Sequence, residues 1–315
     1  MRKQIVILDR ETLGKDISIE KLRVFGDVIE YTNTMPHETQ ERIKDAHIVI
    51  SNKVLLTKEI LTHAKNLRLV CIAATGMNNI DIKAAKELGI EVKNVTNYST
   101  NSVVQHTFAM LFYLLEHLKY YDHIVQNNLW SMSGIFTDLS HPFFEISGKQ
   151  WGIIGLGTIG LEVAKVASSF GANISYFSTS GLNQNSSYAK KELEELLKTS
   201  DIISIHAPLN ENTLNLINDT NLPLIKDKSI LLNLGRGGII NETDLAYELN
   251  RREIYAGLDV LEKEPIDIDN PLLHIEHKDR LLITPHIAWT SIEAREKLIA
   301  TIVKHIENFI KEVQW

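Results

Sequence analysis

The stretch WGIIGLGTIGLEVAKVASSFGANISYFS (151–178) decides the fold, because an apolar run gives way to a glycine-rich turn, a helical pattern and a second apolar run. Its glycines Gly155, Gly157 and Gly160 have the spacing G-x-G-x-x-G. In such a turn the first glycine permits a sharp bend, the second lets a pyrophosphate approach the backbone, and the third lets helix and strand pack closely. The stretch therefore predicts a βαβ unit that binds a dinucleotide, and a purely structural turn is the alternative.

The residues after this turn extend the prediction to a whole domain. Thr158 and Ile159 open the helix, where backbone N–H groups and partial positive charge favour a phosphate. Helical patterns cover about 159–170, 192–199 and 243–249. They alternate with six short apolar runs: WGIIG, NISYFS, DIISIHA, SILLNLG, YAGLDV and LLITPH. Six strands match a doubly wound dinucleotide-binding domain.

The segment after the second of these strands lacks the acid that usually binds the ribose of NAD about twenty residues beyond the turn. Ser178, Thr179 and Ser180 stand there instead. Hydroxyl groups can bond to a ribose hydroxyl or to a 2′-phosphate, and they do not repel the phosphate as a carboxylate would. The nearest downstream cations, Lys190 and Lys191, follow about ten residues later. The segment therefore predicts that both NAD and NADP are accepted, with NAD slightly favoured.

The first hundred residues show a second alternating series. Its strand candidates are QIVILD, DVIEYT, AHIVIS, LVCIAA and IEVKNV, with Thr57 as a helix N-cap and Gly89 as a helix stop. A final helix, about 291–313, follows the second series. We expect an α/β protein with two Rossmann-like parallel-sheet domains, the coenzyme domain inserted into a discontinuous substrate domain. The predicted substrate domain is 1–99 plus 288–315, and the predicted NAD(P)-binding domain is 100–287.

The composition argues against several kinds of partner. A net charge of −7 over 315 residues gives no electrostatic reason to expect nucleic acid or an anionic membrane. Cys71 is the single cysteine and the N-terminus lacks a long apolar stretch, so a cytoplasmic location is expected. The most apolar long segment, 101–125, predicts a buried core helix rather than a membrane span, because it is interrupted by Gln105, His106, Glu116, His117 and Lys119.

Three predicted strand ends in the second domain carry polar residues. They are Arg236, Glu264 and His286. Taken alone, Arg236 is more typical of a surface arginine, Glu264 of a solvated loop carboxylate, and His286 of a structural histidine. Ligands of open α/β sheets bind at the carboxyl ends of the strands, so the three side chains could converge on one crevice.

These motifs together resemble the D-isomer-specific 2-hydroxyacid dehydrogenase family over nearly the whole chain. The glycine turn is followed in order by N-x-x-R-G at Asn233–Gly237, D-V-x-x-x-E-P at Asp259–Pro265, and Pro285-His286. The resemblance implies that Arg236 orients the substrate, that His286 is the catalytic acid/base, and that Glu264 is its orienting partner. It implies no metal.

The resemblance also implies further site residues. The substrate-binding residues would be Thr75, Gly76, Met77 and Tyr98. Beyond the glycine turn and the serine segment, the cofactor-binding residues would be Val104, His206, Ala207, Pro208, Thr213, Leu234, Gly235, Asp259 and Ala288. Alternatives stay open, because Tyr98 could be a core residue and Thr213 a helix cap.

The implied activity is reversible reduction of a small 2-keto acid by NADH or NADPH. The sequence is most similar to the glycerate dehydrogenase and hydroxypyruvate or glyoxylate reductase branch, with D-lactate/pyruvate and D-3-phosphoglycerate as alternative substrates. A dehydrogenase-like corepressor that senses NAD(H) is the alternative of a different class. In the resembling family, the region between Tyr120 and Gln150 forms a twofold dimer contact together with the preceding long helix. Because this segment is irregular and aromatic here, the resemblance implies a homodimer, with a core-covering loop as the alternative.

Overall fold

Alternating apolar runs and helical segments form two units of parallel sheet and helices in the computed structural model, which describes residues 2–313. One unit holds the chain up to Ser99 together with the residues from Thr290 onward, and the other runs from Thr100 to Trp289. The return to the first unit thus lies two residues later than the predicted boundary at 288. The predicted fold class, two parallel-sheet α/β domains, is confirmed.

The secondary structure is built from short strands and ten α-helices within residues 2–313. The strands are β1 Gln4–Ile7, β2 Asp27–Glu30, β3 Ile48–Ser51, β4 Leu69–Ile72, β5 Glu91–Asn94, β6 Gln150–Ile154, β7 Asn173–Phe177, β8 Ala189–Lys190, β9 Ile202–Ile205, β10 Ile230–Asn233, β11 Tyr255–Leu258 and β12 Leu281–Ile283. The helices are α1 Thr39–Ile43, α2 Lys58–His63, α3 Ile82–Glu87, α4 Thr100–Leu115, α5 Leu118–Gln126, α6 Leu129–Ser133, α7 Thr158–Ser169, α8 Leu193–Thr199, α9 Glu242–Arg251 and α10 Ile292–Glu312. Short 3-10 helices lie at Arg10–Leu13, Glu20–Val24, Leu222–Leu224, Pro271–His274 and Lys278–Arg280.

The first unit is a five-stranded parallel sheet in the order β2-β1-β3-β4-β5. All five predicted strands are present. Every residue of β3 and β4 is buried, as expected for strands covered by helices on both faces. Thr57 caps α2 as predicted, because its side chain accepts a hydrogen bond from the N–H of Ile60. Gly89 follows α3 with φ +69°, the left-handed conformation that ends many helices.

The second unit is a seven-stranded parallel sheet in the order β12-β11-β10-β9-β6-β7-β8. The six predicted strands are present, and the two-residue β8 adds an edge that the sequence did not predict. Strand β6 lies between β9 and β7, so the chain order reverses on the two sides of β6. Open α/β sheets bind ligands at the carboxyl ends of the strands at such a point.

The predicted core helix over 101–125 is broken into α4 and α5. His117 has φ +50° between them, and this left-handed residue interrupts the helical hydrogen bonding. Helix α4 packs against α7 and the β10 side of the sheet, and its apolar face is buried. No helix within residues 2–313 is both long and apolar enough to cross a membrane.

A hydrogen bond joins residues near the two ends of the second unit. The hydroxyl of Ser102, near the start of α4, donates to the carbonyl oxygen of Ala288 at 2.6 Å. The two ends of this unit therefore lie close together.

Candidate active site

The glycine turn joins β6 to α7 and shows a different constraint at each glycine. Gly155 has φ +92°, and a Cβ there would lie 2.9 Å from the Cα of Ala207. A Cβ on Gly160 would overlap the carbonyl oxygen of Gly155. At Gly157 the backbone has φ −81°, and a Cβ would meet no atom within 4 Å. The fold thus requires the first and third glycines, whereas Gly157 leaves open space beside Thr158 at the N-terminus of α7.

The serine segment after β7 folds back on itself. The buried Ser178 hydroxyl accepts a hydrogen bond from the N–H of Asn183 at 3.2 Å. Thr179 is half-buried, and the exposed Ser180 accepts a bond from an N–H two residues later. Asn183, which sequence reasoning missed, donates through its side-chain amide to the carbonyl oxygen of Leu156 at 2.6 Å. The serine segment is thereby tied to the glycine turn.

His206 follows β9, and its imidazole has an unusual environment. Both ring nitrogens are buried without a hydrogen-bond partner among residues 2–313. Burial of the ring lowers the pKa of His206 to about 3. The backbone N–H of His206 donates to the carbonyl oxygen of Ile154 at 2.9 Å, directly before the glycine turn. Because buried polar atoms are nearly always paired, these nitrogens and the open space at Gly157 fit a bound dinucleotide.

The buried ring of His206 also predicts how the free energy of unfolding depends on pH. An unfolded histidine titrates near pH 6.5, so below that pH the unfolded chain binds a proton that the folded ring excludes. The contribution to stability is therefore full above about pH 6.5 and falls as the pH drops toward about 3. Between pH 7 and pH 5, the unfolding free energy of the cofactor-free wild type should fall by about 2 kcal/mol more than that of His206→Leu. Urea unfolding at the two pH values measures this difference.

The matched control for this measurement is His274→Leu, since His274 is an exposed histidine of the same unit. Its unfolding free energy should change with pH as that of the wild type does. If the His206 variant also follows the wild-type pH curve, the ring is not held neutral in the folded state.

Two of the predicted strand-end residues form a hydrogen-bonded pair. His286 follows β12, and its Nδ1 lies 2.7 Å from Oε2 of Glu264, which follows β11. The other carboxylate oxygen of Glu264 accepts a bond from the N–H of Leu261 at 3.1 Å. His286 has φ +55°, a conformation that residues other than glycine seldom adopt and that is often found at functional sites. With Nδ1 held by the carboxylate, Nε2 is the nitrogen suited to exchange a proton with a substrate.

Asp259 organises the turn that carries this histidine. The residue is 2% exposed, and its Oδ1 accepts bonds from the Thr284 hydroxyl at 2.6 Å and the Ile287 N–H at 2.8 Å. Its Oδ2 accepts a bond from the N–H of Ala288 at 2.9 Å. These contacts make Asp259 a positioning residue for the turn, and its implied role in binding the cofactor stays a prediction.

His106 joins the same network from α4 and was missed by sequence reasoning. Its Nε2 lies 3.1 Å from the Thr284 hydroxyl and 3.5 Å from Oδ1 of Asp259. Burial lowers the pKa of His106, and the charge of Asp259 opposes that shift. The sequence signal for this residue is the break it makes in the apolar pattern of α4. Across residues 2–313, no group of three or more His, Cys, Asp or Glu is placed to hold a metal ion.

Arg236 follows β10 on a loop that packs against the loop after β11. Asn233 anchors it, accepting a bond from the N–H of Gly235 at 3.0 Å and donating to the Arg236 carbonyl at 2.9 Å. A Cβ on Gly237 would overlap the carbonyl oxygen of Leu261, so only glycine fits where the two loops meet. Because β10, β11 and β12 are neighbours, the three predicted catalytic residues stand on adjacent strand ends.

The other predicted cofactor residues of the second unit differ in exposure. Pro208 is exposed, and the Thr213 hydroxyl donates to its carbonyl oxygen at 2.7 Å and accepts a bond from the N–H of Asn210 at 2.8 Å. Thr213 therefore fastens a turn, which favours a structural role, although no helix follows it. The apolar members are buried or half-buried: Val104, Ile159, Ala207, Leu234 and Ala288.

The predicted substrate residues lie in the first unit, after β4 and β5. The Thr75 hydroxyl donates to the carbonyl oxygen of Val95 at 3.1 Å, and Gly76 is half-buried. Met77 packs against the core of this unit, and Tyr98 is buried. The burial of Tyr98 supports its alternative as a core residue, and the substrate role of all four stays a prediction.

Comparison with known proteins finds relatives over nearly the whole chain. Residues 108–288 match the family described as "D-isomer specific 2-hydroxyacid dehydrogenase, NAD binding domain". The chain is 37% identical to hydroxypyruvate reductase of Blautia hydrogenotrophica, covering 98% of this chain and 97% of the relative. It is 35% identical to glycerate dehydrogenase of Methylorubrum extorquens, with coverage of 98% and 97%. D-lactate dehydrogenase of Aquifex aeolicus, solved with NAD and lactic acid, has a TM-score of 0.83 at 27% identity, covering 98% and 96%.

Proposed function

Because the chain belongs to the D-isomer-specific 2-hydroxyacid dehydrogenase family, we propose that it reversibly reduces a small 2-keto acid, with hydroxypyruvate or glyoxylate favoured. The predicted family and the predicted use of a nicotinamide dinucleotide are confirmed. The observation that carries the proposal is the 2.7 Å hydrogen bond between His286 Nδ1 and Glu264 Oε2. A carboxylate at Nδ1 fixes the tautomer of the ring, as an acid–base histidine requires.

Reduction of the keto group needs a hydride and a proton, and the bound nicotinamide dinucleotide supplies the hydride. We assign the proton to Nε2 of His286, which donates it to the carbonyl oxygen as negative charge develops there. In oxidation, the neutral ring takes the proton from the substrate hydroxyl. Glu264 holds the ring in one orientation in both directions. The guanidinium of Arg236 is suited to bind the substrate carboxylate through two hydrogen bonds.

The substrate choice is supported by the names of two relatives with high coverage, hydroxypyruvate reductase and glycerate dehydrogenase, which describe the two directions of one interconversion. D-lactate/pyruvate and D-3-phosphoglycerate are the alternatives. A steady-state panel separates them, crossing hydroxypyruvate, glyoxylate, pyruvate and 3-phosphohydroxypyruvate with NADH and NADPH.

The expected result is the highest kcat/KM with hydroxypyruvate or glyoxylate, and turnover with both cofactors. A higher kcat/KM with pyruvate or with 3-phosphohydroxypyruvate would contradict hydroxypyruvate or glyoxylate as the substrate and assign that acid instead. Cofactor binding without turnover of any acid would contradict the proposed reductase activity and support the alternative of an NAD(H)-sensing corepressor.

We also propose that the chain forms a homodimer through the arm, defined as residues 129–143. The arm exposes several large apolar side chains, among them Phe136 at 89%, Leu139 at 81% and Met132 at 73%. Monomeric proteins rarely expose a contiguous apolar surface of this kind. A second copy is the simplest occupant, because a twofold interface buries the same segment on both chains.

Light scattering of the purified protein should therefore give a mass about twice the 35.7 kDa of one chain. Phe136→Ser combined with Leu139→Ser should shift the mass toward the monomer. Ile268→Ser is the control, since Ile268 is 82% exposed outside the arm, and it should leave the dimer intact. A wild-type chain that is monomeric at micromolar concentration would refute the dimer.

A further inference from the structure

We propose that Lys190 binds the 2′-phosphate of NADP(H) and so determines how far this chain accepts the phosphorylated cofactor. The inference rests on the proposed function, specifically on a dinucleotide bound at the glycine turn. Lys190 follows the serine segment by ten residues, and the pairing of β8 with β7 brings the two together.

Strand β8 explains this proximity. It pairs in parallel with β7, placing Lys190 opposite Tyr176, near the end of the strand that precedes Ser178. The ammonium group of Lys190 donates to the carbonyl oxygen of Gly181 at 3.3 Å. The cation therefore lies beside the turn 178–181, where proteins of this fold bind the ribose next to the adenine.

The loop between β7 and β8 is held in place by its own hydrogen bonds. The Tyr176 hydroxyl accepts a bond from the N–H of Asn185 at 3.0 Å. Asn183 binds Ser178 on one side and the Leu156 carbonyl of the glycine turn on the other. Because the loop is tied to the phosphate-binding turn, the position of its cation relative to a bound dinucleotide is defined.

The positive charge on Lys190 is not neutralised by a carboxylate of the described chain. Within residues 2–313 it has no carboxylate partner, whereas Lys191 donates to the Thr199 hydroxyl at 2.9 Å and lies 3.4 Å from Glu195. The loop 178–188 contains no acidic residue. A Cβ on Gly181 would meet no atom within 4 Å, so this turn has open space beside it. A single cation with serine hydroxyls suits a 2′-phosphate without excluding a 2′-hydroxyl.

Binding measurements test this assignment independently of turnover. Isothermal titration of wild type, Lys190→Met and Lys191→Met with NADPH, NADH, adenosine 2′,5′-bisphosphate and 5′-AMP compares ligands with and without the 2′-phosphate. We expect Lys190→Met to weaken NADPH and the bisphosphate about tenfold, with NADH and 5′-AMP changed less than about twofold. Lys191→Met should bind all four as wild type does, and Lys190→Arg should retain NADPH affinity.

Equal weakening of NADH and NADPH by Lys190→Met, or no change in either, would overturn the assignment while leaving the proposed function standing. The same holds if Lys191→Met reproduces the Lys190→Met result. A wild-type protein that binds none of the four ligands would instead overturn the proposed function itself.

Discussion

His286→Ala should lower kcat for keto-acid reduction by about 100-fold or more, with the Kd for NADH changed less than about twofold. In the proposed mechanism the imidazole donates the proton, and Glu264, 2.7 Å from its Nδ1, holds the ring in position. Removing the ring leaves water as the proton donor. The glycine turn and the serine segment are unaffected, so cofactor binding should persist. Stopped-flow turnover and fluorescence titration with NADH measure the two quantities separately.

A second variant protects this test against a folding artefact. His286 has φ +55°, which Asn tolerates better than Ala, so His286→Asn should keep the turn while losing proton transfer. His274→Ala removes an exposed histidine from the same unit and should keep wild-type kcat. Full turnover by either His286 variant would remove the histidine from the mechanism.

Gly157→Val should weaken NADH binding about 100-fold while leaving the melting temperature of the cofactor-free protein nearly unchanged. The backbone at Gly157 has φ −81°, which valine adopts without strain, and the new Cβ meets no protein atom within 4 Å. The side chain would instead occupy the space beside the N-terminus of α7. The loss of affinity and the preserved stability distinguish a ligand-binding glycine from a structural one.

Gly160→Val is the contrasting variant. Its Cβ would overlap the Gly155 carbonyl oxygen, so this substitution should lower the melting temperature even without cofactor. If Gly157→Val binds NADH as tightly as wild type, the pyrophosphate does not lie at this turn. If both variants destabilise the free protein alike, the open space at Gly157 has no special role.

The larger part of the fold is predictable because buried parallel strands are short apolar runs with helices between them. Eleven such runs stand out in the sequence, and all eleven form strands. The strand β8 is different, since Ala189 and Lys190 form it at an edge, are exposed, and have no apolar pattern. It exists because the loop before it is fastened to β7, and such tertiary contacts are invisible in local sequence.

The candidate site likewise contains features that local sequence predicts and features that depend on tertiary contacts. The strand-end positions predict that His286 and Glu264 could lie in one crevice, and their pairing is implied by the family resemblance. The roles of Asn183 and His106 could not be anticipated, because each depends on a contact with a residue far away in sequence, Leu156 or Thr284. The break at His117 was missed for a related reason: the apolar pattern continues across it while the backbone does not.

The hydrogen bond between Ser102 and Ala288 has a consequence for chain entropy. To the first unit, residues 100–289 are an insertion of 190 residues, and a flexible loop of that length would oppose closure of the sheet around it. Since Ser102 and Ala288, near the two ends of the insertion, are joined by a hydrogen bond of 2.6 Å, the folded insertion closes like a loop of a few residues. By the logarithmic dependence of closure entropy on length, the difference is about 3 kcal/mol in favour of the first unit.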